Sequence, residues 1–460
     1  MSIFKDIDNI YFLGAGGIGM SALVRYFLYG GFNVGGYDKT ETRLTLSLSE
    51  EGCDIQYKDN LKYVADNFLN PSNTLIVYTP AIPSESALLK HFTSGGFQIY
   101  KRAMILGEIS KKSNTIAIAG THGKTSISTL TAHLLKQSSV DCSAFLGGIS
   151  KNYDTNLILG DSNITIIEAD EYDRSFHHLE PYLALITSLD ADHLDIYGNY
   201  SNMLEAFNHF ASLIREDGSL VVHSSIRSKI KSLTNVSVYT YGLDDDSDFR
   251  IVNLKQEKGA YHFDIITPMG ELNDLISLSP GRMMLENTLA AISLASLTGV
   301  SDYEIRKALI HFKGVKRRFD IRIDSREIVY IDDYAHHPIE LDYFINSVKE
   351  FYADRKITIV FQPHLYSRTR DHAEGFAASL ALADNIILLP VYPAREEAIE
   401  GVSSELILDK IQGKNKVVLE KDELIKYLAT IELDIVLTVG AGDIDTMVAP
   451  VEEFIKTIKR

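Results

Sequence analysis

Gly120-Thr121-His122-Gly123-Lys124-Thr125-Ser126 is the stretch that decides how this chain is read. It follows a β-like run at 115–119 and leads into a helical pattern of Ile127, Leu130, Leu134 and Leu135. A glycine-rich turn between a strand and a helix presents backbone N–H groups to phosphate oxygens at the helix N-terminus. Lys124 then stands where it reaches β/γ oxygens, and the Thr125 hydroxyl where it ligates Mg²⁺. The motif predicts a chain that uses ATP with Mg²⁺. It is a shortened phosphate loop, because Ile118 occupies the place of the first glycine in the longer pattern.

A second glycine turn lies near the start. Gly14-Ala15-Gly16-Gly17-Ile18-Gly19-Met20-Ser21 follows the first strand-like run, and Asp38 closes the second, 19 residues past the third glycine. This G-x-G-x-x-G pattern suits a pyrophosphate at a helix N-terminus, with the acidic residue on a ribose hydroxyl. By itself it fits a nicotinamide dinucleotide or any other nucleoside diphosphate. A nicotinamide oxidoreductase would leave residues 120–126 without a role, so a UDP-sugar fits better.

The 460 residues suffice for about three domains, and 45% apolar content supplies their cores. Strand-like and helix-like runs alternate throughout, giving an α/β chain divided as 1–106, 107–312 and 313–460. Expected strands include 10–13, 32–37 and 74–78, then 164–167, 183–187 and 219–222, then 328–331, 357–361, 386–389 and 435–439. A polar stretch at 241–269 reads as an antiparallel excursion. A net charge of −17 argues against nucleic acid as a partner. Two cysteines, Cys53 and Cys142, make no disulfide framework. No apolar run approaches a membrane span, and no secretory leader is evident, so the expected address is the cytoplasm.

Strand ends collect the remaining polar groups. Glu168-Ala169-Asp170-Glu171-Tyr172-Asp173 closes the strand at 164–167, and Glu168, nearest the strand, is the expected Mg²⁺ ligand. A solvated acidic turn is the alternative. His193, among Asp190, Asp192 and Asp195, is either a second metal ligand or a charge-paired surface histidine. In the last third, Asp332-Asp333-Tyr334-Ala335-His336-His337-Pro338 and Gln362-Pro363-His364-Leu365-Tyr366-Ser367-Arg368 end successive strands. Singly, each is as well explained by a solvated loop. With two further clusters at 391–397 and 440–444 they favour a site, and Arg317-Arg318 stands ready to reach phosphates.

Together these residues resemble the Mur ligases of peptidoglycan synthesis, essentially end to end, and the alanine-adding branch in particular. The resemblance implies a three-domain architecture: a Rossmann-like UDP-binding domain, a central P-loop ATPase domain and a C-terminal Rossmann-like domain. It implies addition of L-alanine to the lactyl carboxylate of UDP-N-acetylmuramate through an acyl phosphate, by a cytoplasmic monomer or homodimer whose partners are small molecules, with neither nucleic acid nor membrane. By the same resemblance Gly16, Gly17, Ile18, Gly19, Met20 and Ser21 with Asp38 hold the UDP-sugar, and Gly120 through Ser126 hold ATP. Thr125, Glu168 and His193 fall where the family binds Mg²⁺. Asn287 falls at adenine, Arg318, Asp333 and His336 attend the nucleotide, and Tyr334, His364 and Arg368 secure the alanine carboxylate. Lys124, Glu168, His193 and Arg368 are the expected catalytic groups. Met283, Met284, Ser188 and Leu365 depart from the family's usual residues, and no lysine follows His193 until Lys229, so no lysine carbamate is expected.

Overall fold

Asn9–Leu13 is buried at all five positions, the mark of a parallel strand covered on both faces. In the computed structural model of the chain, which describes residues 4, 6–191, 194–257, 259–394 and 396–458, this strand is the centre of the first of three sheets. The first sheet holds β1 (Asn9–Leu13), β2 (Asn33–Tyr37), β3 (Asp54–Gln56), β4 (Thr74–Tyr78) and β5 (Gln98–Lys101) in the order β3-β2-β1-β4-β5, all parallel.

The second sheet has ten strands: β6 (Asn114–Ala119), β7 (Ser143–Ser150), β8 (Thr155–Ile158), β9 (Ile164–Glu168), β10 (Leu183–Ile186), β11 (Ser219–His223), β12 (Ser237–Gly242), β13 (Phe249–Glu257), β14 (Ala260–Thr267) and β15 (Gly270–Ser277). Their order is β15-β14-β13-β12-β11-β10-β6-β9-β7-β8. The β6 strand therefore lies between β10 and β9, and both neighbours run parallel to it. The third sheet holds β16 (Asp320–Asp324), β17 (Val329–Asp333), β18 (Ile357–Phe361), β19 (Asn385–Leu388), β20 (Asn415–Val418) and β21 (Ile435–Val439), ordered β16-β17-β21-β18-β19-β20. All but the edge strand β16 are parallel.

The chain is thus α/β, and it forms two compact units. One comprises residues 1–254, 263–276 and 287–313, the other 255–262, 277–286 and 314–460. Within the first unit one apolar core is continuous from Phe12, Val24 and Leu75 around the first sheet to Ala117, Ile167 and Phe207 around the second. Ile105, Leu106 and Ile109 sit inside that core, so the chain passes position 106 without a gap in packing.

One expectation needs correction. The polar stretch at 241–269 holds β13 and β14 and leads into β15, which ends at Ser277, and its first strand, β13, pairs with β12 in parallel. The hairpin of β7 and β8 and the edge strand β16 were not foreseen. Gly147-Gly148 interrupts the apolar pattern of β7, and Asp-Ile-Arg-Ile-Asp in β16 carries three charged residues in five.

Candidate active site

The phosphate loop follows β6, and residues at or just past the ends of the neighbouring strands β10 and β9 hold it. Gly120 takes φ 131° and Gly123 φ 81°, conformations that L side chains rarely adopt. A Cβ on Gly120 would stand 1.9 Å from Thr187 Oγ1, just past β10. Gly123 caps the helix Lys124–Lys136, whose first turn carries Lys124, Thr125 and Ser126. Thr121 is buried, its Oγ1 2.8 Å from Ser188 Oγ, and the His122 N–H donates to that same Ser188 oxygen at 3.1 Å. Ser188 pins the loop from the neighbouring strand end.

The Lys124 ammonium donates to Gly120 O at 2.6 Å and to Glu171 Oε1 at 2.8 Å. Burial alone would depress its pKa, but the Glu171 and Glu168 carboxylates outweigh burial and hold it above the ordinary lysine range. It is a full cation at neutral pH. Glu168 closes β9 and accepts from Thr125 Oγ1 at 3.0 Å, from the Gly147 N–H at 3.0 Å and from Ser128 Oγ at 3.5 Å. Of the acidic run, Glu168 therefore faces the threonine and Glu171 the lysine. Facing hydroxyl and carboxylate oxygens suit Mg²⁺, which takes one or two carboxylates and completes its shell with phosphate and water. Among the described residues no cluster of three or more His, Cys, Asp or Glu forms a metal site. His193 lies outside the described residues. Asn287, on the helix Arg282–Leu297, borders the loop: a Cβ on Gly123 would come 2.6 Å from its Oδ1.

At the first sheet Gly14 takes φ 88° and Gly17 caps the helix Ile18–Tyr29. Asp38 shapes this turn, since its Oδ2 accepts the Gly16 N–H at 2.8 Å and its Oδ1 the Thr40 N–H at 3.2 Å. Gly19 is backed by Arg102, whose Nη1 would lie 1.9 Å from a Cβ there and whose Nη2 pairs with Asp170 at 2.8 Å. The side chains of Met20 and Ser21 are buried in the third and fourth positions of that helix. Ser21 Oγ donates to Ile18 O at 2.9 Å.

In the second unit, β17, β21 and β18 are neighbours, and their C-terminal ends bring together residues far apart in sequence. Asp333 accepts the Phe319 and Ala335 N–H groups at 2.6 and 2.7 Å. Burial pushes its pKa up to about 6 although Arg318 opposes it. Arg318 lies 4.9 Å from the Tyr334 ring, and the Tyr334 and His336 rings are 5.4 Å apart. Burial lowers the His336 pKa against the pull of Glu340. His336 stands 6.1 Å from His364, whose Nδ1 is 3.4 Å from Arg368 Nη1. Arg318, Asp333, Tyr334, His336, His364 and Arg368 thus form one polar cluster. Leu365 precedes the helix Tyr366–Leu380 with φ 69° and ψ 135°, a region normally left to glycine.

Sequence reasoning missed two partners. Glu171 carries no signal beyond its place in an acidic run, and Gly147 reads as an ordinary strand break.

Family profiles match along the chain: "Mur ligase family, catalytic domain" at 9–114, "Mur ligase middle domain" at 118–295 and "Mur ligase, glutamate ligase domain" at 317–442. The chain is 51% identical over 452 residues to the UDP-N-acetylmuramate--L-alanine ligase of Parabacteroides distasonis, covering 98% of each. It is 47% identical over 455 residues to the protein of that name from Porphyromonas gingivalis W83, covering 98% of this chain and all of the other. Among solved structures, the UDP-N-acetylmuramate-alanine ligase of Thermotoga maritima superposes with a TM-score of 0.81 at 27% identity, covering 98% and 99%. A murein peptide ligase of Psychrobacter arcticus shares the fold, with a TM-score of 0.72 at 22% identity over 97% and 98% of the two chains.

Proposed function

The chain belongs to the Mur ligase family, and from that premise we infer that it is an ATP-dependent ligase joining L-alanine to the lactyl carboxylate of UDP-N-acetylmuramate in peptidoglycan synthesis. The observation that carries the chemistry is the phosphate loop, with Lys124 Nζ 2.8 Å from Glu171 and Thr125 Oγ1 3.0 Å from Glu168. The near full-length relatives carry the substrate assignment.

A carboxylate is a poor electrophile at neutral pH. One lactyl oxygen attacks the γ-phosphorus, the bond to the β-bridging oxygen breaks, and ADP leaves an acyl phosphate. The neutral amine of alanine then adds to the acyl carbon. The tetrahedral intermediate expels phosphate and leaves the amide, with the amine proton lost to solvent or buffer.

Little covalent work falls to the protein, so positioning and charge dominate. Loop N–H groups and Lys124 hold the phosphates and offset charge on the transferring group. Mg²⁺ held by Thr125, Glu168 and His193 supplies further positive charge there when bound. Asn287 contacts adenine, and Arg318, Asp333 and His336 attend the nucleotide. Arg368, with His364 and Tyr334, receives the alanine carboxylate through charge-assisted hydrogen bonds. The glycine turn at 16–21 takes the UDP pyrophosphate, with residues 1–106, 107–312 and 313–460 as the sugar, ATP and amino-acid domains. We place the reaction in the cytoplasm, in a monomer or homodimer. Among the described residues no helix is long and apolar enough to cross a membrane.

Phosphate release from ATP and Mg²⁺ tests this reading. It is expected to require both UDP-N-acetylmuramate and free L-alanine; release only with an L-alanine-starting tripeptide would replace alanine by the peptide.

A further inference from the structure

Asn156, on β8, is completely buried and spends its whole carboxamide on the helix that begins at the glycine turn. Its Nδ2 donates to Ile18 O at 2.5 Å and to Ser21 Oγ at 2.9 Å, and its Oδ1 accepts from Arg25 Nη1 at 2.5 Å. Arg25 is buried as well, and its Nε and Nη2 grip Glu51 at 2.8 and 2.7 Å. A residue of the second sheet thus fixes three atoms of the first helix.

The other side of β8 leads to the catalytic carboxylate. β8 pairs with β7 at Phe145↔Leu157 and Ser150↔Thr155, and the register shifts between those pairs. Asn156 sits opposite this irregular segment, which contains Gly147, the donor to Glu168. β8 thus places Asn156 beside the β7 segment whose Gly147 bonds Glu168, and Glu168 in turn accepts from Thr125.

Adhesion between these layers is already provided by apolar contact, such as Tyr26 against Phe145 with ring centroids 5.4 Å apart. Apolar contact is non-directional and tolerates sliding. A fully satisfied buried amide does not, because moving it breaks three hydrogen bonds at once.

We propose that Asn156 is a positioning residue that sets the UDP-sugar turn in register with the Glu168–Thr125 end of the phosphate loop, so that the acceptor carboxylate meets the γ-phosphate. This rests on the ligase reading above for its substrates, but not for the mechanical link. Asn156→Leu removes all three bonds at similar volume, and Asn156→Asp keeps an acceptor for Arg25 while losing both donors.

Each variant is to be assayed well below its melting temperature for binding of ATP and of UDP-N-acetylmuramate separately, for kcat at saturation, and for amide hydrogen exchange. Both substrates are expected to bind separately within about 3-fold of parent, while kcat falls about 100-fold, the effect of a shift near 1 Å between reacting groups. Exchange is expected to quicken together at 16–21 and 146–149. Unchanged exchange at either segment overturns the inference whatever the substrates prove to be, as does lost sugar binding with an unchanged kcat. A parent that releases no phosphate with these substrates overturns the ligase reading instead, and the exchange result still decides the link.

Discussion

Gly147→Ala is the sharpest single perturbation of the phosphate-transfer end. A Cβ at Gly147 would stand 2.3 Å from Glu168 Oε2, 2.4 Å from Oε1 and 2.5 Å from Cδ. To recover ordinary separation the carboxylate must retreat by about 1 Å, breaking its alignment with Thr125 Oγ1 and with the Gly147 N–H. Gly147 is not among the glycines at positive φ, so alanine meets the carboxylate and no backbone strain. A misplacement near 1 Å costs about 100-fold in rate, or roughly 2.7 kcal/mol of transition-state stabilisation. Crowding costs a further 1–3 kcal/mol of stability, roughly, which a melting curve reports separately. The assay is initial-rate phosphate release across a Mg²⁺ titration. The expected result is a kcat/KM for ATP lower by about 100-fold and a higher Mg²⁺ requirement. Parental activity at parental Mg²⁺ would refute the placement of Glu168 as the carboxylate that works with Thr125.

Three other outcomes follow from the same geometry. Arg368→Ala should raise the KM for alanine by about 10–100-fold, the worth of a hydrogen bond to a charged group, with little change in the KM for ATP; an equal rise for both would remove Arg368 from the amino-acid end. Asp332 is buried against Arg317 at 3.1 Å, and burial pushes its pKa up to about 6. The native state therefore binds more protons than the unfolded chain between about pH 4 and 6, so stability falls as pH rises through that window, by about 3 kcal/mol for a shift near two units. Against Asp332→Asn, the parent should lose stability from pH 4.5 to 7 in urea titrations; a parent that gains would reverse the sign. Leu365→Gly should raise stability by about 1 kcal/mol, since relief of a glycine-only backbone conformation exceeds the entropy that glycine loses on folding; a clear drop in melting temperature would mean the side chain's packing matters more.

Glycine made the nucleotide ends of this chain legible in sequence. Gly14, Gly120 and Gly123 occupy conformations few other residues tolerate, so their spacing between a strand and a helix carried structural information. The strands at 357–361 and 435–439 were readable because runs this rich in β-branched residues and free of charge have one comfortable place, inside a parallel sheet. Partnerships were not readable. Glu168 and Glu171 differ by three positions, and only the course of the chain after β9 turns one to Thr125 and the other to Lys124. Asn156, Gly147 and Ser188 act through neighbours 20 or more residues away, and no local pattern announces such contacts.

The most direct test of the central claim is phosphate release from ATP and Mg²⁺ in four parallel reactions: UDP-N-acetylmuramate alone, L-alanine alone, both, and both with Lys124→Ala. The account predicts sustained release only with both substrates and its loss in the variant. Release that ignores either substrate, or that survives without the Lys124 ammonium, would contradict it.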